Sequence, residues 1–81
     1  GGEAAPMGDY SNRLSYNEKR EYEGLEDVIA ALEKEKAQLE EAMGRAGVDH
    51  EELTRISTRL GEVTSDIETK TERWIELDER A

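Results

Sequence analysis

The chain has 81 residues, a formal net charge of −10 and only 35% apolar residues, which together allow one small domain without a multilayered core. It contains no cysteine, so a disulfide framework and a thiolate metal site are both excluded. No apolar run approaches the roughly 20 residues that cross a bilayer, so we expect no membrane partner. The negative charge also opposes nonspecific attraction to nucleic acid or anionic lipid.

Residues 1–13 differ in composition from the rest of the chain. They contain the only proline and three of the seven glycines, and they show no apolar periodicity. We interpret them as a flexible, disordered linker whose first residues are left over from recombinant expression. They lack the basic start and the apolar stretch of a signal peptide, so the sequence predicts a cytoplasmic protein.

An apolar ladder that alternates steps of three and four residues predicts a first helix at about residues 16–43. Ser15 and Glu18 fit a capping box at its start, in which the hydroxyl accepts from the third amide and the glutamate reaches back. The ladder consists of Tyr22, Leu25, Ile29, Leu32, Lys36 as a polar interruption, Leu39 and Met43.

A second ladder with the same spacing predicts a second helix at about residues 50–79, after a loop at 44–49. Gly44 and Gly47 suit a left-handed end of the first helix, and Asp49 is the expected N-cap of the second. The second ladder consists of Leu53, Ile56, Leu60, Val63, Ile67, Lys70 as a polar interruption, Trp74 and Leu77.

The two ladders predict an all-α fold, a two-helix antiparallel coiled-coil hairpin that occupies residues 14–80. We expect the isolated domain to be a monomer, although pairing of two chains through the same ladders stays an alternative, with Val28 and Ile75 as a second apolar surface. Heptad positions of the antiparallel arrangement predict three ion pairs between the helices: Glu21 with Arg73, Glu35 with Arg59, and Lys19 with Asp78.

The sequence contains no group of residues that indicates catalysis, metal binding or nucleotide binding. It has no phosphate-binding Gly-x-x-x-x-Gly-Lys-Ser/Thr loop, and its lone histidine, His50, has no second ligand or nucleophile placed near it. Neighbouring acids such as Glu51 and Glu52 point to different faces of a helix. We therefore expect no catalytic residue, no metal site and no cofactor in this chain, which is not itself an enzyme.

Two motifs are more specific than the coiled-coil pattern. The first is Leu-Ser-Tyr-Asn-Glu-Lys-Arg-Glu-Tyr-Glu-Gly-Leu at residues 14–25, and the second is Glu-Arg-Trp-Ile-Glu-Leu-Asp-Glu at residues 72–79. The first resembles the Leu-Ser-Tyr opening, and the second the Glu-Arg-Trp close, of the C-terminal coiled-coil domain of Uup-like ABC-F ATPases. The resemblance covers about residues 14–80.

The resemblance implies that this domain is appended to a parent with two ATP-binding cassettes, which would use ATP and Mg and would be partners within the same chain. It implies structural roles for Ser15 and Tyr16 in the cap and end packing, and for Trp74 in closing the open end against Tyr22 and Leu25. The family links this kind of domain to DNA, and ABC-F proteins as a class to ribosomes and translation.

The resulting functional hypothesis is a nucleic-acid-binding appendage that contacts DNA or ribosomal RNA. The alternative is a protein-interaction or spacer arm that positions the ATPase on the ribosome or another partner without such contact. Because phosphate contacts need clustered cations, the candidate residues are basic, and they could equally be ion-pair partners on an acidic surface. The candidates are Arg13, Lys19, Arg20, Arg45, Arg55, Arg59 and Arg73.

Overall fold

Two long α-helices form a hairpin in the computed structural model, which describes residues 13–45 and 47–81. Helix α1 spans Tyr16–Met43 and helix α2 spans His50–Asp78. At 1.5 Å per residue the helices are about 42 and about 44 Å long. The predicted all-α hairpin is confirmed, whereas the linker predicted before Arg13 lies outside the described residues.

Helix α1 begins with the capping box that the sequence predicts. The Ser15 hydroxyl accepts from the Glu18 amide at 3.2 Å, and the Ser15 amide donates to Glu18 Oε1 at 2.9 Å. Because the first amides of a helix have no partner within it, this exchange satisfies two backbone groups that would otherwise need water. It also fixes the Glu18 carboxylate at the first turn.

The connection between the helices differs from the expected glycine pattern. Gly44, directly after α1, keeps a right-handed conformation with φ −86°, because its amide donates to the Glu41 carbonyl at 3.1 Å and tightens the last turn. The left-handed glycine is Gly47, with φ +86°. Helix α2 then begins as predicted, with Asp49 Oδ1 accepting from the Glu52 amide at 2.8 Å.

The core is a narrow seam between the helices. The four buried apolar residues all occupy d positions of the heptads, whereas most a positions are half-buried, because two helices leave their seam open along both edges. Met43 was expected in this seam but is 38% exposed at the end of α1. Lys36 and Lys70 are half-buried in it. The buried residues are Leu25, Ile56, Val63 and Leu77.

Two bidentate ion pairs fix the antiparallel arrangement. Arg59 donates to Glu35 from Nε at 2.6 Å and from Nη2 at 2.9 Å. Arg73 donates to Glu21 in the same way, at 2.8 and 3.0 Å. Both pairs are those that the heptad positions predict, and the planar guanidinium suits a carboxylate with two acceptor oxygens.

The third predicted ion pair is wrong. Asp78 Oδ1 instead accepts from the hydroxyl of Tyr22 at 2.5 Å, and Lys19 has no ion pair within the described part of the chain. The reason is geometric, because the rigid phenol of Tyr22 reaches across the seam from the neighbouring helix while a lysine must order four torsions to do so. Neither described helix is apolar enough over sufficient length to span a membrane.

Candidate functional site

The open end of the hairpin joins the first turn of α1 to the residues after α2. Arg80 donates to Glu18 Oε2 from Nη1 and to Oε1 from Nη2, both at 2.9 Å, and its Nη2 also lies 3.2 Å from the Arg13 carbonyl oxygen. The hydrogen bonds from Arg80, followed by that from the Ser15 amide, lower the pKa of Glu18 to about 2. The arrangement therefore connects Arg13 and the first turn of α1 to Arg80, which follows α2.

An aromatic pair covers the seam near this end. The rings of Tyr22 and Trp74 stack with their centroids 5.7 Å apart and their planes at 20°, which agrees with the closing role that the resemblance implies for Trp74. The hydrogen bond to Asp78 raises the pKa of the Tyr22 phenol. Tyr16 does not pack as expected, because it is 73% exposed at the first position of α1.

Several cationic side chains surround a cleft of about 450 Å³ at the open end. Arg13 and Lys19, both candidates from the sequence, lie on its wall together with Arg80, Tyr22 and the acidic Glu23. Arg80 was not among the candidates predicted from the sequence. Heptad spacing could have identified it, because residue 80 is the g position that follows Arg73.

Arg20, in the second turn of α1, lies against an aromatic ring. Its guanidinium carbon lies 5.9 Å from the centroid of the Tyr16 ring, which is within the range of a cation–π contact. Because Tyr16 is mostly exposed, this contact holds the Arg20 charge at the surface. Lys19, Arg20 and Arg13 thus lie at the same end of the molecule.

The remaining candidates are distributed along the hairpin, and most face carboxylates. Arg59 and Arg73 make the two bidentate pairs, which lower the pKa of Glu35 and of Glu21, and each arginine has a further glutamate three residues on. Arg45 lies 3.6 Å from the Glu41 carboxylate near the tip. Arg55 is exposed and has no ion pair with a described residue. The structure therefore places Arg13, Lys19 and Arg20 at the open end, with Arg73 close by at 4.0 Å from the Glu18 carboxylate, and it leaves Arg45, Arg55 and Arg59 elsewhere along the hairpin.

Acidic residues are numerous but do not converge on one point. Within residues 13–45 and 47–81, no group of three or more histidine or acidic side chains has the geometry to hold a metal ion. Most described carboxylates are exposed, and the two half-buried ones, Glu18 and Glu35, are held by arginines.

The fold and the open end define a class of protein module, an acidic antiparallel coiled-coil hairpin in which an ion pair joins the start of the first helix to the end of the second. Residues 13–79 match the family model of the ABC transporter C-terminal domain, and the chain belongs to that family. The family assignment made from the Leu-Ser-Tyr and Glu-Arg-Trp motifs is thereby confirmed.

A curated relative supports the same assignment. The chain is 34% identical over 65 residues to YfmR of Bacillus subtilis (strain 168), which is described as an uncharacterized ABC transporter ATP-binding protein. The match covers 80% of this chain and 10% of the relative, so the chain spans about a tenth of that protein's length. No solved structure matches the chain.

Proposed function

We propose that this domain is the C-terminal arm of an ABC-F ATPase of the cytoplasm, and that its open end contacts the phosphate backbone of DNA or ribosomal RNA. In this proposal ATP and Mg belong to the cassettes of the parent chain, and the hairpin itself carries no catalytic step. The hairpin would hold the open end at a fixed distance from any molecule that contacts the loop between α1 and α2.

The observation that carries the proposal is the arrangement of cations at the open end. Arg13 and Lys19 line one cleft, together with Glu23 and with Arg80, which is held by Glu18, and Arg20 lies on the exposed ring of Tyr16. Lys19 has no ion pair with a described residue, so it can approach a phosphate without breaking an existing contact. Phosphate contacts need several such charges close together, since each neutralised phosphate releases a counterion.

The net charge of −10 limits the strength of such binding. Arg59, Arg73 and Arg80 are already held by glutamates, so they are better described as structural. With two or three phosphate contacts, we expect the logarithm of the affinity for duplex DNA to fall with the logarithm of salt at a slope of about −2 to −3. Binding should therefore be weak and confined to low salt.

Fluorescence anisotropy with labelled duplex DNA and labelled RNA tests the proposal. We expect Lys19→Gln/Arg20→Gln to weaken binding at low salt by about tenfold, since each phosphate contact adds to a steep salt-dependent affinity. The matched control is Lys34→Gln/Lys36→Gln, which removes the same charge from the middle of α1, at positions that are not candidate contacts. Equal losses in both variants, or no binding to either nucleic acid, would contradict the proposal.

A second candidate function is a protein-interaction arm, and a specific observation favours it. Carboxylates on one edge of the hairpin, among them Glu26 and Glu33, make no ion pair with a described residue. Such a surface repels phosphates and attracts basic proteins. This candidate uses a different surface from the open end, so the two functions are not exclusive.

A further inference from the structure

The two edges of the hairpin carry different chemistry. On the g edge, Arg59 and Arg73 link the helices through bidentate ion pairs. On the e edge, Lys19 is followed along α1 by Glu26, Glu33 and Glu40, and none of these three glutamates pairs with a described cation; we call this stretch the acidic edge. The e positions of α2 that face the three glutamates are the hydroxyl residues Ser57, Thr64 and Thr71, which cannot neutralise carboxylates, and Asp78 faces Lys19.

A groove of about 310 Å³ lies along the acidic edge. Glu26 and Glu33 line it from α1 together with Ile29 and Ala30, and Thr71 and Trp74 line it from α2. Apolar side chains thus lie between two carboxylates that are seven residues apart. This combination differs from an ordinary solvated helix face, on which charged residues have no apolar groove between them.

One further feature points to an unfilled contact on this edge. Ile75 is 48% exposed, and it follows Thr71 by four residues, so the two are neighbours on the surface of α2. This exposed β-branched side chain adds apolar area beside the groove that a partner can remove from water.

We propose that the acidic edge is a docking surface for a basic amphipathic helix of a partner protein, which packs beside α1 and α2 as a third helix. The inference rests on the second candidate function and does not depend on nucleic-acid contact at the open end. Its occupant is identified by charge, because unneutralised carboxylates repel phosphate backbones and anionic lipids but attract lysine and arginine.

The spacing of the carboxylates identifies the occupant as helical. Glu26, Glu33 and Glu40 recur every seven residues, which separates them by about 10.5 Å along the axis of α1. A partner helix that repeats a lysine or arginine every seven residues presents its charges at the same separation. Its apolar positions would then lie over Ile29, Trp74 and Ile75.

The test titrates the 81-residue chain with a synthetic helical peptide of three heptads that carries leucine at the a and d positions and lysine at the flanking positions. Trp74 is the only tryptophan and lines the groove, so its fluorescence reports occupancy directly. We expect saturable binding with a change in indole emission. Binding should weaken about tenfold in Glu26→Gln/Glu33→Gln, since two facing charges are lost.

The matched control is Asp27→Asn/Glu72→Gln, which removes the same charge from the outer f positions of both helices. We expect less than a twofold change in this control, and loss of binding for a peptide with glutamine in place of lysine. Equal weakening in the two variants, unaltered binding of the glutamine peptide, or no saturation would overturn the proposal. Circular dichroism of each variant shows whether the hairpin is retained, and Glu33→Gln alone serves if the double variant unfolds.

The outcome separates this inference from the nucleic-acid proposal. Anisotropy with DNA responds to Lys19 and Arg20 at the open end, whereas peptide binding responds to Glu26 and Glu33 in the groove. A chain that binds neither ligand contradicts both proposals. A chain that binds only the lysine peptide supports the protein-interaction arm and contradicts the nucleic-acid contact.

Discussion

At the scale of single residues, burial in this hairpin is concentrated in a few side chains. Val63 and Leu77 are completely inaccessible, and Leu25 and Ile56 are nearly so. A two-helix seam has no second layer, so each of these side chains accounts for a large share of the apolar area removed from water. The stability of the fold therefore depends on few positions.

Leu77 and Ile75 provide a matched comparison on one turn of α2, since the first is fully buried and the second is 48% exposed. We expect Leu77→Ala to lower the free energy of unfolding by about 2–5 kcal/mol, because it removes transfer energy and leaves a cavity. Ile75→Ala should change it by less than about 0.5 kcal/mol, as is usual at surface sites. Urea denaturation followed by circular dichroism measures both, and similar losses would contradict the burial pattern.

At the scale of elements, the sequence sets where the helices begin more clearly than how they end. Ser15 and Asp49 are small polar residues before an apolar ladder, and both act as N-caps through the backbone amide three residues on. The end of α1 is less predictable, since the sequence does not distinguish whether Gly44 or Gly47 takes the left-handed conformation. Only Gly47 takes the left-handed conformation, because hydrogen bonds to the α1 carbonyls hold Gly44 in the last turn.

The pairing of the two helices predicts a charge-reversal effect. Glu35→Arg places two arginines face to face and should lower the thermal unfolding temperature, and adding Arg59→Glu should recover most of the loss by restoring an opposite pair. Thermal melts at low and high salt measure the effect. The difference should shrink at high salt, where exposed charges are screened. A double variant as unstable as the single one would contradict direct pairing of these residues.

At the scale of the whole molecule, the ion pair between Glu18 and Arg80 connects residues 62 positions apart in sequence. It holds the open end closed, together with the stack of Tyr22 on Trp74. This closure adds to the seam and to the ion pairs Glu21–Arg73 and Glu35–Arg59, and it connects the start of α1 to the residues that follow α2. The monomeric state expected from the ladders stays a prediction.

This closure should depend on pH. The pKa of Glu18 falls from 4.5 to about 2 on folding, so the ion pair stabilises the fold fully above about pH 4.5 and loses that effect as pH falls towards 2. We expect Arg80→Gln to be less stable than the unchanged chain at neutral pH, with the difference closing in this acidic range. Denaturation of both proteins across pH measures it.

Lys34→Gln is the control, because Lys34 is exposed and has no ion pair with a described residue. The small difference in stability between Lys34→Gln and the unchanged chain should stay constant over the pH range in which Glu18 titrates. A gap between Arg80→Gln and the unchanged chain that persists at pH 2 would contradict the assigned pair.

The sequence by itself determined the two helices, their caps, the antiparallel sense and the family. These features depend on local patterns: a ladder of three and four residues, a capping box, complementary g positions and two end motifs. Each can be read along the chain without knowing which distant residues meet. The same local rules correctly paired Glu21 with Arg73 and Glu35 with Arg59.

Only the tertiary structure decided which partner each polar group takes at the open end. Asp78 accepts from Tyr22 instead of Lys19, and Glu18 receives Arg80 in addition to its cap. The physical reason is that side-chain reach and competition among neighbouring charges are settled in three dimensions, where several partners lie within a few ångströms of one another. The contrast between a paired edge and an acidic edge likewise emerges only once the helices lie side by side.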